Sequence, residues 1–372
     1  MDIHEYEVGL LKDELDTPAL ILDMNAVEKN IRTMAEYAKK AGINLRPHAK
    51  VYKATPIFAW SQINAGAIGI TVSKLSEAEI LAMAGIKDIL IANQVVGSRK
   101  IQRLINLAGY TDVKVAVDSV DNVTELSHAA QNKGVELGVL IEVNIGNDRC
   151  GVEPFEPTLK FAKMIQSSDG LKLKGLMGYD GHLVSVKDLA ERDRRSRGAY
   201  QILVETRRFL ENNGIEVEIV SGGGSGTYKS ASSIKGVTEL QVGTYIFMDT
   251  QFRDNGGLEE FECSLSVLAT VISRPERAGA EQLAILDVGR KAIDNSYGFP
   301  EVKFPSGTIF SMPQEHSRLK VDPSNSKLKV GDKVEIWVRD ANGTINMYDK
   351  IYAIRDQRVE AVWDIIGRGK VT

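Results

Sequence analysis

Residues 19–48, ALILDMNAVEKNIRTMAEYAKKAGINLRPH, decide the fold. An apolar run from Ala19 to Asp23 gives way to a segment in which Val27, Ile31, Met34 and Ala38 recur at helical spacing, and a second short run begins at Asn44. A period of 3.6 collects those four side chains on one face. Asn25 followed by Glu28 has capping-box spacing and predicts the helix start. The same grammar of strand and helix continues to about residue 245. Further strand candidates are Asn44 to His48, Ile68 to Val72, Asp88 to Ala92, Val113 to Val117, Val139 to Asn144, Leu173 to Gly178, Val217 to Val220 and Glu239 to Val242. Ser76 with Glu79, and Thr55 before Pro56, mark two more helix starts. Repeated βα units call for a parallel sheet, and eight of them close into a (β/α)8 barrel of ~250 residues. A doubly wound open sheet is the competing arrangement. One strand is left over.

Beyond about residue 255 the grammar changes. Ser264 to Ser273, Gln282 to Val288, Leu319 to Val321, Val334 to Val338, Ile351 to Ile354 and Val359 to Ile365 are β-rich, with turns such as Asn342-Gly343 between them. The expectation is an α/β protein: a barrel over residues 24–255 and an all-β domain built from 1–23 plus 256–372, with Ala19 to Asp23 as the extra strand.

Composition narrows the partners. Lys+Arg 46 against Asp+Glu 50 leaves a net charge of -4, with no basic field to select nucleic acid or an anionic membrane. Cys150 and Cys263 stand far apart, in neither a disulfide framework nor zinc-like spacing, which fits a reducing cytoplasm. The amino terminus, MDIHEYEVGLLKDELD, has no apolar leader core, and no later run approaches the ~20 residues of a membrane span. A soluble cytoplasmic protein is expected.

Four segments carry chemistry. In RPHAKVYK, Arg46 to Lys53, an extended backbone to Lys50 would send Arg46, His48 and Lys50 to one side. Cationic neighbours and desolvation lower a lysine's pKa, so Lys50 is a candidate Schiff-base lysine; alone, it is a solvated surface residue. SGGGSGTY, Ser221 to Tyr228, follows a late strand, where Gly222, Gly223 and Gly224 can bring backbone N–H groups to a phosphate or simply make a flexible turn. Gly243 and Thr244 end the next strand and offer a second donor group. On that reading Gly223 lies on an exposed loop, and Gly223→Asp removes the phosphate while sparing the fold. Arg149, in GNDRCGV, stands on the same rim, able to bond a phenolate or carboxylate. Tyr179 and His182, in GYDGH, end another strand; His48 and His182 are the acid/base candidates, with core packing and loop capping as the ordinary alternatives.

RPHAK, Asp16-Thr17-Pro18, the GxxRCGV loop, SGGGSGT and GTYIFMD at Gly243 to Asp249 together resemble the fold-type III pyridoxal-phosphate enzymes, most closely the D-threonine aldolase and D-serine dehydratase group. The resemblance covers nearly the whole chain and implies an alanine-racemase-like barrel with a C-terminal β-domain, as a homodimer. It implies that Lys50 carries the cofactor, that Gly222 to Gly224 with Gly243 and Thr244 hold its phosphate, that Arg149 meets its ring oxygen and that Tyr179 lies near its pyridine nitrogen. The family's divalent metal is held by a histidine and, two residues on, an aspartate or cysteine; here those positions fall on Asp340 and Asn342, a hard-oxygen pair suited to Mn²⁺ or Mg²⁺. Ser185 stands where D-threonine aldolases carry a histidine implicated as a base, and His182 is the nearby substitute. The expected reaction is cleavage of a D-β-hydroxy-α-amino acid to glycine and an aldehyde. Dehydration in the manner of D-serine dehydratase, racemisation, a pyridoxal-phosphate carrier and a phosphosugar-binding barrel are the alternatives.

Overall fold

The computed structural model describes residues 5–325 and 327–372; residues 1–4 of the expected 1–23 segment lie outside them. All nine strands anticipated before residue 245 form: β1 (Ala19–Asp23), β2 (Asn44–Leu45), β3 (Ile70–Val72), β4 (Asp88–Ile91), β5 (Asp112–Val117), β6 (Leu137–Glu142), β7 (Leu171–Met177), β8 (Ile219–Gly222) and β9 (Glu239–Leu240). The last eight make one parallel sheet, in the order β2-β9-β8-β7-β6-β5-β4-β3. Its two ends meet. The Ile68 N–H donates to Leu45 at 2.9 Å and the Thr71 N–H to Pro47 at 2.8 Å, with a parallel bridge between His48 and Thr71. That closure selects the barrel over the open sheet.

The helix Met24–Ala41 buries Val27, Ile31, Met34 and Ala38, the face set by the periodicity. Its cap is Asp23 rather than Asn25, with the carboxylate accepting the Ala26 N–H at 3.1 Å, because β1 runs into the helix with no loop between them. The helix Leu75–Met83 likewise starts two residues ahead of the Ser76–Glu79 expectation, with Lys74 as its cap. Glu77 accepts the N–H groups of Ser73 and Lys74, while the Ser76 hydroxyl donates to the Thr372 carbonyl. Thr55 and Pro56 open their helix as expected.

β1 takes no place in the barrel. It lies between β10 (Leu265–Ser273), antiparallel, and a later strand, parallel, in a second sheet. The remaining strands of that sheet are β11 (Leu283–Leu286), β12 (Glu301–Phe304), β13 (Gly307–Ser311), β14 (Ser317–Val321), β15 (Lys333–Trp337), β16 (Lys350–Arg355), which is β1's parallel neighbour, and β17 (Arg358–Asp364). β12 and β13 were not anticipated because they are short and largely solvated, with Ile309 their one buried side chain. Asn342-Gly343 is not a hairpin turn. It lies in a short helix, Ala341–Ile345, capped by Asp340. The Asp249 carboxylate ties the two sheets together, accepting the Phe252 N–H at 3.0 Å and the Ala341 N–H at 3.1 Å. Among the described residues no helix is long and apolar enough to cross a membrane.

Candidate active site

A cavity of ≈ 730 Å³ opens where the chain leaves the C-terminal ends of the barrel strands, the rim on which such barrels assemble their sites. Lys50, Arg149, Tyr179, Gly224, Gly243 and Thr244 line it from the barrel, and Asp340 and Asn342 close it from the second sheet. A larger groove of ≈ 970 Å³ runs along the outside of the helix Met24–Ala41, away from all of these groups.

Lys50 reaches the cavity by a different route from the extended one expected. The backbone folds into a short turn, Ala49–Tyr52, started by His48, whose Nδ1 accepts the Lys50 N–H at 3.4 Å. Burial lowers the Lys50 pKa, the Arg149 guanidinium lowers it further, and Glu77 and Asp340 oppose both. Arg46 is not among the causes. It is buried at 2 % exposure, forks onto Glu239 at 3.0 and 3.1 Å and pairs with Asp88, so its charge is spent inside the barrel. His48 also departs from expectation. Burial holds it well below the usual imidazole pKa, Lys50 reinforces this, and its Nδ1 accepts the Lys50 N–H. A neutral ring on the cavity wall, with Nδ1 on the Lys50 N–H, holds the start of the turn beside the lysine.

The Tyr179 ring lies between the two cations, its centroid 5.8 Å from Lys50 Nζ and 5.6 Å from Arg149 Cζ. Burial, and secondarily Asp180, push its phenol up to about 12, so it is a neutral hydrogen-bond donor at neutral pH. Asp180 organises the loop behind it. One oxygen accepts from Tyr200 and Thr227, both at 3.0 Å, and the other accepts from Ser196 at 2.7 Å. The Tyr200 hydroxyl in turn accepts the Gly223 N–H at 2.6 Å.

That last bond corrects the glycine cradle. The Gly223 N–H is directed at Tyr200, and neither Gly222 nor Gly223 is on the cavity wall. Gly223 is buried at φ +77, where a Cβ would come within 2.7 Å of Leu240, so Gly223→Asp would disrupt the fold rather than only the site. The wall falls instead to Gly224, Ser225, Gly243 and Thr244, whose backbone N–H groups donate to no acceptor among the described residues. A Cβ on Gly224 would stand 3.2 Å from the Tyr179 ring, and one on Gly243 3.1 Å from the His48 carbonyl. Free donors on two close-packed turns suit a phosphate. Ser225 belonged to a visible motif; Tyr200, deep in a helix 23 residues from Gly223, had no local signal.

His182 does not face the cavity. Its ring packs toward Gly146, and its buried Nδ1 has no partner, while Gly181, Val184 and Ser185 form the wall beside it. Asp340 and Asn342 do face it, but as a cap rather than a converging pair. Asp340 Oδ1 accepts both the Asn342 N–H, at 2.9 Å, and its amide Nδ2, at 3.2 Å. With Nδ2 turned to the carboxylate, the Asn342 Oδ1 points elsewhere, buried and unpaired. One carboxylate whose Oδ1 already accepts twice and one neutral amide oxygen make a poor ligand set for a divalent ion. Asp118, Glu142 and Cys150 bring donor atoms within 4.8 Å of one another. Each side of that group is already engaged: Gly151 donates to Asp118, and Gln94 and Arg149 to Glu142, while burial first and then Glu142 push the Cys150 thiol up.

Residues 22–251 match the model of the alanine racemase N-terminal domain, and residues 264–354 that of a putative serine dehydratase domain. The chain is 35% identical to a 3-hydroxy-D-aspartate aldolase of Paracoccus denitrificans (strain Pd 1222), over 99% of this chain and 98% of the relative. It is also 35% identical to a D-threonine aldolase of Arthrobacter sp, over 95% and 93%. The crystal structure of D-threonine aldolase from Filomicrobium marinum superposes with a TM-score of 0.93 at 35% identity, covering 98% of each chain.

Proposed function

We propose, because the chain belongs to the alanine racemase N-terminal domain family and to its D-threonine and 3-hydroxy-D-aspartate aldolase group, that it is a pyridoxal-phosphate-dependent lyase cleaving a D-β-hydroxy-α-amino acid to glycine and an aldehyde. The observation that carries this reading is the meeting, in one cavity, of a depressed lysine amine with a neutral phenol, a guanidinium and undonated backbone N–H groups. In this reading residues 24–255 form the cofactor-binding unit, with 1–23 and 256–372 closing it.

Gly224, Ser225, Gly243 and Thr244 would hold the phosphate through backbone amides, Lys50 would carry the cofactor's aldehyde carbon, Arg149 would meet the ring oxygen and Tyr179 would donate to the ring nitrogen. Pyridoxal phosphate, when bound, supplies an aldehyde for the substrate amine and a ring that accepts the electron pair released when Cα–Cβ breaks. A Tyr179 phenol pinned near pKa 12 keeps its proton, leaving that ring a weaker electron acceptor than a carboxylate partner would. The chain's own residues must therefore help elsewhere. The β-hydroxyl proton has to leave as the bond breaks, and Asp340 is the cavity's carboxylate. With Oδ1 taken up by two bonds from Asn342, Oδ2 would be the oxygen that takes that proton. The reading uses neither His182 nor an ion on Asp340 and Asn342.

The test is product analysis with D-threonine: glycine and acetaldehyde support the lyase, whereas ammonia with 2-oxobutanoate would replace it by a dehydratase. The dehydratase is the second reading because residues 264–354 match that domain model.

A further inference from the structure

We propose that the substrate's side chain is neutral, alkyl or aryl, and that a second carboxylate is selected against. The inference rests on the cofactor placement given above and adds the class of side chain. With the phosphate at Gly224 and Thr244 and the reacting carbon at Lys50, the substrate lies beyond Lys50, against Gln251, Phe252, Tyr297, Asp340 and Asn342 of the cavity wall. That wall offers the rings of Phe252 and Tyr297, the amides of Gln251 and Asn342, and one charge, the Asp340 carboxylate.

Among the described residues, the cations lining the cavity are Lys50 and Arg149. Lys50 is the nucleophile, and Arg149, already 3.4 Å from Glu142, is the one guanidinium left for the cofactor oxygen and the α-carboxylate. The neighbouring Arg339 is committed elsewhere, with Nε on the Tyr297 carbonyl at 2.9 Å and another nitrogen on Asp254 at 2.6 Å. A β-carboxylate would meet Asp340 and no cation on this partly buried wall, a like-charge contact without a partner. A methyl or phenyl group would leave water to meet two aromatic rings.

The probes are D-amino acids with no β-hydroxyl, titrated into the pyridoxal-phosphate-loaded protein and followed by cofactor absorbance, so that affinity is read without cleavage. D-2-aminobutyrate and D-phenylalanine should bind at least about tenfold more tightly than D-aspartate; equal or tighter binding of D-aspartate overturns the proposal. Tyr297 is 55% exposed, so Tyr297→Arg adds a cation to this wall without opening the core. The variant should raise the affinity for D-aspartate relative to D-2-aminobutyrate by about tenfold or more, and an unchanged ratio overturns the placement of the side chain there. If no aldehyde forms from D-threonine while the neutral ligands still bind preferentially, the lyase reading falls and the side-chain assignment stands.

Discussion

The Lys50 amine has Arg149 on one side and Glu77 and Asp340 on the other, and burial tips it toward the free base. In the proposed role, borohydride treatment of the cofactor-loaded protein fixes the label on Lys50, and Lys50→Ala abolishes labelling; a label on Lys53 or Lys74 in the mapped peptides would reject the assignment. Asp340 makes a separate prediction. As proton acceptor it should cost about 10²-fold or more in kcat when changed to Ala. Asn342→Ala, which only loosens it, should cost less, and chelator should leave turnover unchanged. Loss of activity on chelation, restored by Mn²⁺, would show that an ion works in this cavity after all. The roles of Lys50 and Asp340 differ in how visible they were. RPHAK pointed to the lysine by its own composition, but its lowering partner, Arg149, is 99 residues away in sequence, and nothing local shows that Arg46 is neutralised by Glu239.

The turn after β8 behaves as a unit because Tyr200 and Asp180 hold it from behind. Tyr200→Phe strips the Gly223 N–H of its partner inside the protein and leaves one Asp180 oxygen with Thr227 alone, which should destabilise the fold by about 1–3 kcal/mol. It should also weaken cofactor retention more than a surface change of equal cost, since the loop that loses its tether is the one presenting Gly224 and Ser225. Equilibrium dialysis of pyridoxal phosphate against Tyr200→Phe and a matched destabilised surface variant separates the two effects. At this scale the sequence was readable where periodicity ruled. The nine early strands and the face of the first helix followed from the periodicity of apolar residues, whereas caps slipped by two residues where Asp23 and Glu77 outcompeted the residues at standard spacing. β12 and β13 were illegible for want of a buried face. The glycine triplet marked the right turn but not which amides face inward, because that depends on a tyrosine from a distant helix.

Across the whole molecule, Asp249 is the joint between barrel and second sheet, and burial pushes its carboxyl up to about 7 from the usual 3.8. Below about pH 4 it is protonated whether folded or not; as pH rises toward 7 the unfolded chain loses the proton while the folded one retains it. Its contribution therefore falls through that window, by on the order of a few kcal/mol, and the loss is complete above the folded value. Asp249→Asn should flatten the slope of stability against pH between about 4 and 7 relative to the parent in denaturant titrations; identical slopes would reject the assignment. The placement of β1 between β10 and β16 has a consequence in time. During synthesis at about 5–20 residues per second, the strand that begins at Ala19 waits roughly 15 to 65 s before the last residues of β16 exist to cover it. For that interval a nearly wholly apolar segment, Ala19 to Leu22, is a bare edge on the ribosome, and a chaperone that shields it would affect yield without touching the finished enzyme.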